Sequence, residues 1–373
     1  MKKDNYDYKV SAAGRVNIIG EHIDYCGGKV FPAALSLKNT VYIRANGTNK
    51  INIKWTTLPD EVSLDIADIG NYAHLKYGNY QAGCAYIWQQ AGQKLVGCDM
   101  LQDCTVPFGS GLSSSAAIEV STLAALATIA GEQIDRKEIA LMAQKAEREY
   151  AHVNCGIMDQ YASANGKKDN AILLDCAKIT HEYVPLELGE YTLVITDCNK
   201  PHSLITSKYN ERRAETEQAL ELLQQHLDVT CLAEVTPQDF EKYKDCLTGK
   251  VRDRAEHVVY ECHRVEEAVA AMRQGDLKLL GQLLNASHAS LRDKYEVTGE
   301  ELDTLAAAAQ AHPACLGSRM TGAGFGGCTI SIVLKSAVDD FKKTVYDAYV
   351  AKIGYEPSFY DADIADGIVV EKL

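Results

Sequence analysis

The sequence predicts an α+β protein built as two domains, and three observations carry the prediction. Its 373 residues exceed what a single hydrophobic core usually organises. The first third carries strand-like alternation, and the second half carries long, charged stretches with helical spacing.

From Lys9 the chain runs apolar into Gly14-Arg15-Val16-Asn17-Ile18-Ile19-Gly20, a strand ending in charged and turn residues. Residues 30–45 alternate as a strand, and the pattern continues through 51–55. Residues 80–93 have helical spacing, and 96–106 return to an extended pattern leading into a glycine- and serine-rich loop. The Ala- and Leu-rich helix after that loop is expected to stop at Gly131, because glycine accepts the left-handed conformation that ends helices. Asp135 with Glu138 matches a capping box and opens a second helix through about Tyr150. Strands follow at 171–176 and 191–197, the second leading into a loop at 198–203. Residues 203–225, 251–273, 277–291 and 300–311 read as helices, and Pro313 stops the last.

Composition narrows the function. With 46% apolar and 24% charged residues the chain is an ordinary globular protein. A net charge of −13 and the lack of any basic run argue against a nucleic-acid binder. A nucleotide can still bind where helix N-termini, a few basic side chains and a metal ion reverse the local field. No stretch approaches a membrane span; even the Ala-rich run after Ser115 contains Glu119. The N-terminus lacks the apolar core of a signal peptide, so a cytoplasmic protein is expected. Twelve cysteines with no Cys-x-x-Cys pair suit reduced thiols rather than zinc or dithiol chemistry.

Four clusters carry candidate chemistry. Glu21-His22-Ile23-Asp24-Tyr25-Cys26-Gly27-Gly28 either lines a pocket for a hydroxyl-rich ligand or forms a solvated loop between strands. Val106-Pro107-Phe108-Gly109-Ser110-Gly111-Leu112-Ser113-Ser114-Ser115-Ala116-Ala117 has tight-turning glycines, hydroxyl donors and a following helix, the make-up of an anion site. Its plainer reading is a capped core helix. In Asn154-Cys155-Gly156-Ile157-Met158-Asp159-Gln160-Tyr161 the carboxylate of Asp159 is either a helix cap or a catalytic group, and Glu147 reads by position as a solvated helix face. Thr321-Gly322-Ala323-Gly324-Phe325-Gly326-Gly327-Cys328 contains Gly-x-Gly-x-x-Gly but leads into a strand, so a dinucleotide fold fails on context and a glycine-rich hairpin turn is the plain reading. A Walker loop and the protein-kinase signatures are absent.

In order and spacing, residues 15–28, 106–117 and 321–328 resemble the three motifs of the GHMP kinase superfamily, and within it the chain is similar to the galactokinase family. Cys155-Gly156-Ile157-Met158-Asp159-Gln160 also matches, as do His202-Ser203-Leu204 with Tyr209-Asn210-Glu211-Arg212-Arg213, Ser287-His288 with Leu291-Arg292-Asp293, and Tyr295-Glu296-Val297. The resemblance implies a two-domain GHMP kinase fold, each domain a mixed sheet with helices and the active site in the cleft between them. Domain 1–178 then carries the sugar signature and phosphate loop, and 179–373 is the helix-rich half with the third glycine motif. Asp159 takes the place of the catalytic aspartate and Arg15 that of the basic residue beside it. Glu21, His22, Ile23, Asp24 and Tyr209 match the sugar site. Gly109, Ser110, Gly111, Leu112, Ser113, Ser114 and Ser115 match the ATP phosphate loop, and Ser115 and Glu147 the magnesium ligands.

The implied reaction is Mg²⁺- and ATP-dependent phosphorylation of the anomeric C1 hydroxyl of galactose to galactose 1-phosphate. Phosphoryl transfer has a loose transition state, so alignment and charge neutralisation are most of the task, and Asp159 takes the hydroxyl proton late. Ala13 stands where the family usually has Pro, and Cys26, beside the sugar ligands, where it usually has Asn. Another GHMP sugar kinase, for N-acetylgalactosamine or a related sugar, is therefore the alternative. A non-catalytic sugar and ATP sensor is a further one, disfavoured by the intact Gly111-Leu112-Ser113-Ser114-Ser115-Ala116-Ala117 and by Asp159. The expected partners are small molecules only, with neither nucleic acid nor membrane, and the expected state is a monomer.

Overall fold

The computed structural model describes residues 3–133, 135–200 and 205–373, so the expected loop at 201–203 and the His202-Ser203-Leu204 match lie outside the described residues. The chain opens with β1 (Tyr8–Asn17), β2 (Lys29–Val30), β3 (Pro32–Ala45), β4 (Lys50–Trp55) and β5 (Glu61–Asp65). Then follow α1 (Asn79–Gln90), β6 (Cys98–Cys104), α2 (Ser114–Ala130), α3 (Arg136–Glu149) and α4 (Met158–Asn165). Strands β7 (Asn170–Asp175), β8 (Thr180–Pro185) and β9 (Tyr191–Asp197) precede helices α5 (Ile205–Leu223), α6 (Pro237–Tyr243), α7 (Gly249–Gln274) and α8 (Leu277–Ser290). The chain closes with α9 (Gly299–Ala311), β10 (Cys315–Thr321), β11 (Cys328–Leu334), α10 (Val338–Ile353), β12 (Ser358–Tyr360) and β13 (Val369–Lys372).

Among the described residues the strands form sheets in the orders β13-β1-β3-β6-β4-β5, β10-β11-β9-β12 and β2-β7-β8. All pairings are antiparallel except β4 with β6. The expected continuous strand pattern at 30–45 and 51–55 is two strands: the Asn46-Gly47 turn separates them, and β6 lies between them in the sheet. No helix of the described residues is long and apolar enough to cross a membrane.

Strand β1 is buried from Val10 to its end, with α2 and α4 packed on it. Helix α2 is apolar nearly all round and correspondingly buried, the signature of a core helix. It stops where expected: Gly131 is left-handed (φ 74°) and its N–H closes the last turn. Asp135 caps α3 by accepting from the amides of Lys137 and Glu138. The expected helix at 277–291 ends one residue early and passes into a π-helical turn, Leu291–Tyr295. The third glycine cluster is a hairpin connecting β10 to β11, as its strand context requires.

Two irregularities in β1 and its surroundings position the site. The β1–β3 register shifts between Ala13 and Arg15, a bulge at Gly14 of the kind that re-aims a side chain. Gly14 is needed there: a Cβ would lie 2.7 Å from the Leu112 carbonyl oxygen, which itself accepts from the Arg15 amide at 3.0 Å. The bulge therefore sews the first strand to the loop that opens α2.

Candidate active site

A cavity of about 730 Å³ lies where the end of β1, the α2 loop, the start of α4, helix α5 and the β10–β11 hairpin meet. At its centre Arg15 grips Asp159 with both ends of its guanidinium, Nε to Oδ1 at 2.8 Å and Nη2 to Oδ2 at 2.7 Å. The remaining nitrogen, Nη1, donates to the Gly111 carbonyl at 2.6 Å. Ser113 Oγ donates to Asp159 Oδ2 at 2.5 Å. The arginine side chain is 4% exposed and the aspartate 31%, so the cation is buried behind the carboxylate and the carboxylate faces the cavity. Such a bidentate pair fixes the carboxylate plane.

The loop before α2 bends through left-handed residues Gly109, Gly111 and Ser113 (φ 73°, 76° and 62°). It is pressed backbone to backbone on the hairpin: a Cβ at Gly322 would lie 2.7 Å from the Gly111 carbonyl, and one at Gly327 2.8 Å from that of Ser110. The loop residues divide by direction. Gly109, Ser114 and Ser115 line the cavity, while Ser110 is buried and donates to the Pro107 carbonyl and Leu112 packs in the core. The first residues of α2, Ser114 and Ser115, thus stand at the cavity with their hydroxyls, and a helix N-terminus with hydroxyl donors suits an anion.

Glu21, His22, Asp24 and Tyr209 also line the cavity. Glu21 is fully buried; it accepts from Asn17 Nδ2 and, at 2.5 Å, from the Gly322 amide, with Arg319 Nη2 at 3.6 Å. Burial pushes its carboxyl up, with Arg319 and then Arg15 opposing. Asp24 is pushed up to about 6, by burial first and then by the negative charge of Asp159. The same causes, burial and then Asp159, raise Glu147. His22 adopts a left-handed backbone (φ 62°), and burial lowers its imidazole to about 3, so the ring is neutral. Ile23 does not line the cavity: its side chain is in the core and its carbonyl accepts from the amides of Cys26 and Gly28, holding the turn. Cys26 is likewise buried behind the loop, its thiol 3.8 Å from the His22 carbonyl oxygen.

The solvated-face reading of Glu147 fails because α3 turns this residue inward against α2 and α4. Glu147 is bonded to Ser115 and accepts from Gln160 Nε2 at 2.5 Å; the same amide reaches Glu119 Oε2 at 3.2 Å. Glu119 Oε1 and Gln160 Oε1 are buried with no partner. Ser115 and Glu147 are hard oxygen donors at the cavity wall, and the crowding of Glu147, Glu119 and Asp159 favours a cation there, so these residues fit a magnesium ion. Among the described residues no group of three or more His, Cys, Asp or Glu could hold a metal ion.

Several lining or supporting residues escaped the reading of the sequence. Tyr80 at the start of α1 lines the cavity, and Glu119 and Gln160 back the Glu147 carboxylate, while Ala323, inside the third glycine motif, lines the cavity as that motif's place in the family implies. Gln160 sits inside a motif already singled out, next to Asp159, which is the one signal that pointed to it.

Comparison with known proteins accounts for this geometry. The chain matches the family models described as the GHMP kinases N terminal domain over residues 79–167, the GHMP kinases C terminal over 268–351 and the galactokinase galactose-binding signature over 3–45. The fold is also that of a Methanococcus jannaschii mevalonate kinase, with a TM-score of 0.71 at 16% identity over 96% of this chain and 98% of that one. Fold and site therefore define a GHMP kinase. A galactokinase of Clostridium tetani (strain Massachusetts / E88) is 45% identical over 356 residues, 95% of this chain and 91% of that protein. One from Clostridium acetobutylicum is 45% identical over 371 residues, 98% of this chain and 95% of that protein. A crystal structure of Lactococcus lactis galactokinase complexed with galactose superposes with a TM-score of 0.93 at 40% identity, covering 98% of this chain and 95% of that one. The chain belongs to the galactokinase family and is a sugar kinase.

Proposed function

We propose that this protein transfers the γ-phosphoryl group of ATP, with Mg²⁺, to the C1 hydroxyl of galactose, giving galactose 1-phosphate and ADP, with Asp159 as the base. The observation that carries the reading is the Arg15–Asp159–Ser113 constellation, held in one cavity between a helix-opening serine loop and a cluster of hydroxyl-binding side chains. It gains support from galactokinase relatives at 45% identity over nearly the whole chain.

Each residue then has a task. Amides at the start of α2, with the hydroxyls of Ser114 and Ser115, cradle the phosphates. Asp24 and Tyr209 hold sugar hydroxyls, His22, with both ring nitrogens bonded within the protein, shapes that wall by joining it to the hairpin, and Glu21 fixes the hairpin on which the wall rests. Arg15 holds Asp159 in one orientation, with its free lone pairs toward the anomeric hydroxyl. The hydroxyl proton passes to the Asp159 carboxylate as the new O–P bond forms and the bond to the β-phosphate oxygen breaks. Magnesium, held by Ser115 and Glu147, supplies positive charge to the phosphate oxygens when bound.

Galactose is preferred over N-acetylgalactosamine because Cys26, the departure that raised the alternative, is not at the cavity wall. The same reading places the division between domains near residue 178 and the protein in the cytoplasm as a monomer, consistent with twelve free thiols. The deciding experiment follows ADP release across galactose, N-acetylgalactosamine, glucose and mannose with Mg²⁺ and ATP. Galactose should give the highest kcat/KM, and a protein that binds sugar and ATP without turnover would refute the reading.

A further inference from the structure

The sugar loop and the glycine hairpin come from opposite ends of the sequence, yet one imidazole joins them. His22 Nε2 lies 3.0 Å from the Ala323 carbonyl oxygen, and His22 Nδ1 lies 2.8 Å from the Tyr25 hydroxyl. The Tyr25 hydroxyl is in turn 2.8 Å from that of Tyr295. Donor and acceptor roles follow from chemistry. A carbonyl oxygen can only accept, so Nε2 must carry the proton. A neutral ring then leaves Nδ1 as an acceptor, and Tyr25 must donate to it. Having spent its one proton, Tyr25 can only accept from Tyr295. The direction is therefore fixed throughout: Tyr295 to Tyr25 to His22 to Ala323.

Both ends of the chain of bonds are anchored. Tyr295 is fully buried in the π-helical turn Leu291–Tyr295; its carbonyl accepts from Arg212 Nε at 2.7 Å, and its ring lies 4.8 Å from that of His22 and 4.5 Å from that of His257. Ala323 and His22 both line the cavity. The low basicity of the buried His22 ring agrees with a neutral tautomer.

We propose that Tyr25 and Tyr295 are positioning residues for the sugar site: by donating in series they hold His22 as the Nε2–H tautomer, which ties the hairpin at Ala323 to the sugar loop. The proposal rests on the functional reading only in assigning that wall to the sugar. Without the Tyr25 donor Nδ1 is left a buried acceptor with no partner and the ring keeps only its bond to Ala323; in the Nδ1–H form Nε2 would present a lone pair to the Ala323 oxygen and repel it.

The test uses full-length protein labelled with ¹⁵N-histidine, with the His22 signals assigned through His22→Gln. Wild type should show a protonated Nε2 and an unprotonated Nδ1 at neutral pH without sugar. Tyr25→Phe should move the Nδ1 signal as that nitrogen loses its donor and weaken sugar binding by calorimetry about tenfold, the size of one lost hydrogen bond, with ATP affinity changed less than twofold. Tyr295→Phe, which leaves Tyr25 able to donate, should weaken sugar binding about two- to threefold. Because the donors act in series, the double variant should be no weaker than Tyr25→Phe. A wild-type His22 protonated on Nδ1, or a Tyr25→Phe protein with unchanged Nδ1 signal and sugar affinity, overturns the proposal. The tautomer measurement needs neither turnover nor a correct choice of sugar, so it separates failure of this inference from failure of the functional reading.

Discussion

The carboxylate of Asp24 occupies the space into which a side chain at Gly156 would project. Gly156 belongs to the segment that presents Asp159, and Asp24 to the wall proposed to hold the sugar, so the two are in direct contact through a missing Cβ. Asp24 Oδ2 also accepts from the amide of Met158, the residue before Asp159, at 3.4 Å. Gly156→Ala should therefore displace Asp24, raise the sugar KM at least tenfold and leave the ATP KM within about twofold. Overpacking of this kind costs about 1–3 kcal/mol, so thermal unfolding should also come at a lower temperature. Steady-state kinetics with each substrate varied will check this, and an unchanged sugar KM counts against the contact.

Sugar binding should depend on pH through Asp24, whose carboxyl is raised to about 6. Above that pH the group is an anion that can only accept from sugar hydroxyls; below it a proton removes an acceptor site. Affinity measured by calorimetry should be flat above pH 7 and fall toward tenfold per unit below pH 6. Asp24→Asn should bind weakly and lose that acid limb. A wild-type affinity unchanged between pH 7 and 5 contradicts the assignment.

Glu147 is buried, its carboxyl raised by burial and then by the negative charge of Asp159, and Ser115 and Gln160 aim it at the cavity. Glu147→Gln should raise the Mg²⁺ concentration needed for half-maximal rate by about tenfold or more. The thermal stabilisation of the protein by ADP with Mg²⁺ should shrink in parallel, while stabilisation by galactose alone stays. If the magnesium dependence of both readouts is that of wild type, Glu147 is not a ligand.

How far the sequence could be read depended on how local the cause was. Gly131 and Asp135 announced the end of α2 and the start of α3 because helix termini are governed by residues within one turn. The break between β3 and β4 was written locally in Asn46-Gly47, which the continuous strand reading passed over, whereas the insertion of β6 between the two strands depends on pairing that no local pattern shows. The partners of β1 could not be foreseen either, because β13 joins it from the far end of the chain. In the site, Arg15 and Asp159 were legible through the motifs around them, and the structure brings them within hydrogen-bond distance. Glu119 was read only as a charge interrupting an apolar run; its burial depends on Gln160, which approaches from another helix. Tyr295 was one match among several, and its place beside Tyr25 follows from the π-helical turn that replaces the expected end of α8.

The central claim is that Asp159 takes the proton from the anomeric hydroxyl, and Asp159→Asn tests it most directly because the amide keeps the shape and can still accept at one oxygen. General-base removal costs on the order of 10²–10⁴ in rate. The variant should show kcat lowered by that amount, with galactose affinity by calorimetry within about threefold of wild type. A variant that turns over galactose at the wild-type kcat would contradict the mechanism.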